Sequence, residues 1–288
     1  MFLQKNSENI SYGQYDANKL DVYYDNNNIE NPKPVIIYIH GGYWCEGDKQ
    51  EDAAIGTLIQ SQNYVAVLPN YRLYPVATSI DDMVEDIYNV FAWIKNNIAS
   101  YGGDINMVTL IGFNAGAHIG SLTILKSYFS MVVNGIKLIK IISFKHLILY
   151  NSPFSFDKFE RLEYDINKMR ETALSDPSMA YLEKYANAKE GLFLGKTGYD
   201  EVELLEDLED LSIYNIGTDK VTFVECDKDT NYPIGSSLEM MEEIKRVVDD
   251  IEIVKKVYPG EFDYVIQGVK NNDPETTNIF LKLMNSIY

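Results

Sequence analysis

Cysteine is scarce. Cys45 and Cys226 are the only two in 288 residues, so no disulfide framework organises the chain and a reducing compartment is expected. Histidine is nearly as rare: His40, His118 and His146 are the three, and none follows His146. Basic residues are few, 25 Lys and Arg against 43 Asp and Glu, giving a formal net charge of −18. A surface this acidic disfavours nucleic acid and anionic membrane as partners. No uncharged run approaches the length of a membrane span. The start, Met1-Phe2-Leu3-Gln4-Lys5-Asn6, lacks a basic segment leading into an apolar core, so a cytoplasmic location is expected. What the chain does have is apolar mass: 46% hydrophobic residues are enough for a sizeable core and argue against disorder.

Short β-branched runs alternate with helical patterns. Lys19 to Tyr24, Pro34 to His40, Tyr64 to Leu68, Met107 to Gly112, Leu147 to Tyr150, Val221 to Cys226 and Ile251 to Tyr258 read as strands, most of them buried on both faces. Between them, Ala53 to Gln62, Asp81 to Ile98, Ala115 to Tyr128 and Gly235 to Val248 read as helices, and Pro274 opens a last one. Ser79 is the expected N-cap of the second helix. In the fourth, Leu238, Met241, Ile244 and Val248 are expected to face inward. In the last, Phe280, Leu283, Met284 and Ile287 are. Residues 154–215 change character, rich in charge, Tyr, Leu and Met, and read as a helical cap inserted between strands. The expected architecture is α/β: one domain over residues 1–288, a doubly wound, mostly parallel sheet with that cap.

One stretch carries the chemistry. Leu110-Ile111-Gly112-Phe113-Asn114-Ala115-Gly116-Ala117-His118 runs from strand to helix through Gly-x-Asn-x-Gly. This is the layout of a nucleophile elbow, whose glycines let strand and helix approach closely. An enzyme carries Ser, Cys or Asp at the tip. Asn114 carries a carboxamide, which is not a useful nucleophile. Upstream, His40-Gly41-Gly42-Tyr43-Trp44 follows a strand end. With the N–H of Ala115 it supplies the two halves of an oxyanion hole.

With these segments the chain resembles the α/β-hydrolase superfamily in its esterase/lipase branch, and is similar to the kynurenine formamidase and isoprenylcysteine methylesterase group. Gly47-Asp48-Lys49, Asn70-Tyr71-Arg72-Leu73-Tyr74-Pro75 and Tyr101-Gly102-Gly103-Asp104 add to the match, which is dense from Val35 to His118 and diffuse beyond. The resemblance implies a Ser…Asp…His triad in that order. Asn114 holds the nucleophile position. Asp229, before Thr230-Asn231-Tyr232-Pro233, holds the acid position. Asp263, or less well Glu261, stands where the histidine belongs. Two of three groups are replaced, so the expectation is an impaired hydrolase that keeps its oxyanion loop and a pocket. An active esterase or formamidase with an unorthodox site is the alternative.

His40 is expected to brace the loop and His118 to pack locally. His146 is expected at the far end of its strand, and Cys45 and Cys226 to be inert. Gly41, Gly42, Tyr43, Trp44 and Ala115 are the candidate ligand-binding residues, with Tyr71 and Tyr74 beside them at the pocket mouth. The amides are expected to be open to a ligand's carbonyl or carboxylate. Asn114, Asp229 and Asp263 could together attract an amine or, less favourably, a metal ion. No cofactor is implied. A small-molecule ligand, a second copy or a protein partner are the conceivable partners.

Overall fold

The computed structural model describes residues 4–156, 159–229 and 236–286. Its strands, in chain order, are β1 (Gln4–Ser11), β2 (Lys19–Asp25), β3 (Lys33–Ile39), β4 (Val65–Pro69), β5 (Gly103–Phe113), β6 (Val132–Val133), β7 (Ile136–Lys137), β8 (Phe144–Tyr150), β9 (Lys220–Cys226) and β10 (Glu252–Tyr258). The helices are α1 (Ala53–Ser61), α2 (Ile80–Asn97), α3 (Ala115–Tyr128), α4 (Phe159–Ser175), α5 (Tyr181–Phe193), α6 (Glu203–Glu206), α7 (Ser236–Val247), α8 (Tyr264–Lys270) and α9 (Pro274–Met284).

Eight strands form one sheet in the order β1-β2-β4-β3-β5-β8-β9-β10, with β6 and β7 a separate hairpin. Pairing is antiparallel at β1–β2 and β2–β4 and parallel from β4 onward. Such strands need helices on both faces, and two apolar clusters provide them. One joins α1, α8 and α9 to the face carrying Ile36, Tyr38, Ile111 and Ile148. The other joins α2, α3, α5 and α7 to the face carrying Ile37, Ile39, Leu110 and Leu149. This is a mostly parallel sheet flanked by helices, as the α/β-hydrolase fold requires, with α4 to α6 inserted between β8 and β9.

Local chemistry explains the helix ends. Ser79 caps α2 as expected, accepting from the Asp82 N–H while the Asp82 carboxylate accepts from the Ser79 N–H. In α3 every residue from Ala115 to Ser127 is buried, because the helix is enclosed on all sides.

Three features depart from expectation. β1 is a polar edge strand, whose hydrogen bonds to β2 no apolar alternation announces. α8, only seven residues long, starts immediately after Asp263. Leu238, expected inward, is 46% exposed, while Met240 and Val247 join Met241 and Ile244 in the core. The helix is rotated so that its apolar stripe passes beside Leu238 instead of through it. Gly235 and Ile287 lie outside the described residues.

Candidate functional site

The elbow is built. Asn114 sits between β5 and α3 at φ 55° and ψ −123°, fully buried. Asn accepts positive φ better than most residues. The flanking glycines are obligatory by contact: a Cβ on Gly112 would stand 2.4 Å from the Ala117 Cα, and one on Gly116 would stand 2.3 Å from the Ile39 carbonyl oxygen.

The loop after β3 folds over that tip. Gly42 turns at φ +116°, which presents consecutive N–H groups inward. Both donate to Asn114: the Gly42 nitrogen lies 3.3 Å and the Tyr43 nitrogen 3.0 Å from Oδ1. The expectation that these amides stand open to a ligand is therefore corrected. The side chain in the nucleophile position reaches back and occupies them. Gly41 permits this closeness, since a Cβ there would meet the Asn114 Cβ at 2.7 Å. Ala115 opens α3 directly behind the tip.

The histidines are all committed to structure. His40 Nδ1 lies 2.7 Å from the Gly41 carbonyl, so it carries the proton and leaves Nε2 as an acceptor. The ring stacks on Tyr71 at 4.5 Å, and the Tyr71 hydroxyl donates to the His40 carbonyl, which braces the loop. His118 accepts from the Trp44 indole N–H at Nδ1 (3.0 Å) and donates through Nε2 to the Tyr199 carbonyl (2.7 Å). Burial pushes its pKa down to about 4. Nearby, Glu201 accepts from Ser121 and is fully buried, which holds its carboxyl well above the usual range. His146 is buried inside β8, within 2.7 Å of the Thr222 hydroxyl, and burial lowers it to about 3.

Trp44 is the second correction. Expected at a ligand surface, it is enclosed completely between His118, Phe156 and Phe193. Its indole N–H must find a partner once buried, and His118 supplies one. Tyr71 is likewise core, with its hydroxyl spent on His40. Burial raises both thiols, Cys45 and Cys226, to about 11, so neither supplies thiolate near neutrality.

Asp229 follows β9 and accepts from the Asn151 side-chain amide at 3.2 Å. The Thr230 to Pro233 part of its motif lies outside the described residues. Asp263 caps α8 through its backbone carbonyl, and burial, with a push from Glu261, raises its carboxyl. Glu261 itself is exposed. Asp229 and Asp263 both act on the Cys226 thiol, so both stand about the end of β9.

A cavity of about 370 Å³ opens beside the loop. Tyr43, Phe113, Tyr185 and Phe262 give it aromatic walls, with Tyr43 and Tyr185 stacked at 4.0 Å. Glu46, Glu51, Asp52 and Asp263 give it carboxylates. Among the described residues its one lysine, Lys270, is 3.0 Å from Asp52. Tyr185, Asp52 and Lys270 were not legible as site residues. They sit in the cap, in the turn before α1 and at the end of α8, outside the segments that carried the resemblance. Among the described residues, no three His, Cys, Asp or Glu side chains converge as a metal site, and no helix is long and apolar enough to cross a membrane.

Comparison with known proteins agrees with this fold. The sequence model of the BD-FAE family matches residues 20–244. The isoprenylcysteine alpha-carbonyl methylesterase of Arabidopsis thaliana is 34% identical over 125 residues, 43% of this chain and 29% of that protein. The probable carboxylic ester hydrolase LipM of Mycobacterium tuberculosis is 34% identical over 119 residues, 40% and 27% respectively. The match thus spans under a third of either relative's length. Among solved structures, esterase B of Lactobacillus rhamnosis superposes with a TM-score of 0.71 at 18% identity, covering 99% of this chain and 85% of that one. That likeness is one of fold.

Proposed function

The chain belongs to the BD-FAE family, in the esterase/lipase branch of the α/β-hydrolase fold, and we propose that it is a catalytically impaired member that binds a small amine. The observation that carries the loss of catalysis is the position of Asn114 Oδ1 on the Gly42 and Tyr43 N–H groups. A substrate carbonyl needs those donors for its developing negative charge. Here they hold a side chain that cannot attack. The three histidines are buried and lowered in pKa, and His118 and His146 are engaged away from the cavity. Removing the nucleophile of a working triad alone lowers kcat by roughly six orders of magnitude in subtilisin.

The cavity supports the ligand class. Its polar lining is dominated by acceptors: four carboxylates, and His40, whose buried Nε2 has no hydrogen-bond partner among the described residues. Among the described residues, Lys270 pairs with Asp52 and Lys184 with Glu46, which leaves Glu51 and Asp263 to meet a cation. Aromatic faces complete a surface that favours a cation bearing an apolar body. The isoprenylcysteine methylesterase and the LipM ester hydrolase keep a second reading in view, an active hydrolase for small esters or formyl amides.

Hydrolysis of short-chain aryl esters and a formyl anilide by the wild type and Asn114→Ala separates the two. No turnover by the wild type above the variant is expected. Turnover that disappears in Asn114→Ala would make Asn114 a participant and overturn the impaired reading. The ligand is tested separately, by thermal shift with benzylammonium against benzyl alcohol. A shift with the cation alone supports amine binding, and equal shifts, or none, remove it.

A further inference from the structure

We propose that Asn114 is a self-modification site: in the folded protein the backbone nitrogen of Ala115 attacks its side chain, closes a succinimide, and leaves aspartate or isoaspartate at position 114. The inference stands apart from the binding reading, because it concerns the carboxamide and not a ligand.

The backbone is already in the reacting conformation. A five-membered ring through Cγ, Cβ, Cα, C and the next nitrogen closes only when Cβ and that nitrogen eclipse across the Cα–C bond. In an L-residue ψ must carry the nitrogen beneath Cβ, and the ψ of −123° at Asn114 does so. Helical and extended asparagines hold ψ far from this value. The elbow also fixes the angle, because the Asn114 carbonyl accepts from the N–H of Ala117 at 3.0 Å and of His118 at 3.3 Å. Folding thus meets the backbone share of the usual entropic cost of reaching the geometry.

The same fold polarises the atom to be attacked. Charge develops on Oδ1 as Cγ becomes tetrahedral, and Oδ1 rests on two backbone N–H donors. An oxyanion hole lowers the barrier for whichever carbonyl occupies it, and its occupant here is the protein's own amide.

The step balances without redox chemistry. The Ala115 nitrogen bonds to Cγ and gives its proton to a water admitted from the cavity that Gly42 and Tyr43 line, while the carbonyl π pair moves to Oδ1. That pair returns, the Cγ–Nδ2 bond breaks, and ammonia leaves with a proton from solvent. Water then adds to either imide carbonyl and opens the ring at its nitrogen. One water is consumed and one ammonia released. Opening at Cγ leaves a carboxylate in the same seat, where two N–H groups bond to a charged acceptor more strongly than to an amide.

The sequence points elsewhere, to Asn134-Gly135, its one Asn-Gly pair, where the missing Cβ leaves the attacking nitrogen unhindered. Asn134 is exposed, and a Cβ at Gly135 would meet nothing within 4 Å. This gives an internal reference. The full chain is incubated in mildly alkaline heavy-oxygen water, folded and in urea, and peptides spanning positions 114 and 134 are followed by mass. Conversion at 114 is expected to be about tenfold or more faster folded than unfolded, with 134 leading in urea. Conversion at 114 already complete on isolation, with 134 intact, is the same result. A rate at 114 in the folded protein equal to or below that in urea overturns the proposal. Asn114→Asp supplies the product standard, and ester turnover plays no part in the measurement.

Discussion

At Asn114 one side chain satisfies two main-chain donors, so truncation should be expensive for the fold as well as neutral for turnover. Asn114→Ala leaves the Gly42 and Tyr43 N–H groups without their acceptor and puts Ala at φ 55°. Tyr43 is buried and Gly42 only partly so, and a buried donor left unpaired costs about 1–3 kcal/mol. A loss of about 2–4 kcal/mol is expected in urea unfolding, as a lower midpoint with unchanged slope. Asn114→Asp keeps an oxygen in place and should recover most of it. An unchanged midpoint in Asn114→Ala would mean that water replaces Oδ1 freely, and that the hole is not closed by this side chain. The relation of Oδ1 to the hole was beyond sequence reading. Gly-x-Asn-x-Gly shows that the reacting atom is missing, but not that its replacement folds back onto the donors meant for substrate. Trp44 was misplaced for the same reason: position in a motif specifies the backbone, and packing partners from α3 and the cap decide where the indole points.

Among elements, α2 anchors the loop that holds the His40 brace. Arg72 donates through Nε to both Asp86 oxygens, at 2.9 and 3.0 Å, and its own N–H donates to the same carboxylate at 2.8 Å. Asp86 is fully buried, and the guanidinium also stacks over Tyr15 at 3.9 Å. Asp86→Ala strips the Arg72 Nε and backbone N–H of their buried acceptor, while Glu85 at 3.1 Å still pairs the guanidinium, so it should cost about 2–4 kcal/mol. Lys145–Asp219, of similar length at 2.8 Å, has side chains 44% and 58% exposed. Solvent screens that pair, and Asp219→Ala should change stability by less than about 1 kcal/mol. Chemical denaturation of both variants checks the contrast, and comparable losses would show that burial does not set the worth of these pairs. The central elements were legible because burial on both faces demands β-branched runs, as in Val35-Ile36-Ile37. Conversely, β1 pairs through its backbone at a polar edge, and the seven residues of α8 are too few to establish a period. Leu238 shows the limit of a helical stripe: periodicity locates a face only to within part of a turn, and contacts with neighbouring elements set the rotation.

Across the whole molecule, buried titratable groups give stability opposing slopes with pH. His118 and His146 have pKa values lowered by burial to about 4 and about 3, and that of His40 is lowered too. A proton on His118 Nδ1 would also displace the Trp44 indole hydrogen. The unfolded chain takes up these protons near pH 6.5 and the native one does not, so stability falls as pH drops from about 6.5 toward about 4. His118 alone accounts for on the order of 2 kcal/mol by pH 5. Glu201 acts the other way. Burial keeps its carboxyl protonated in the native state well above the range where the unfolded chain releases that proton, so its penalty appears above about pH 4.5 and grows as pH rises. The carboxyls of Asp52, Asp86, Asp200 and Asp263 are also raised by burial and act in the same sense as Glu201, so the Glu201 share is the part that a variant at this position removes. Glu201→Gln has no proton to hold and can still accept from Ser121. It should match the wild type near pH 4.5 and exceed it at pH 8, by about 2–4 °C in Tm for each kcal/mol relieved. Unfolding midpoints across pH 4.5–8.5 for the two proteins decide it. A wild type flat above pH 7, or a variant that tracks it throughout, would mean that Glu201 is ionised in the fold and paired with a protonated His118, whose ring lies 3.6 Å away.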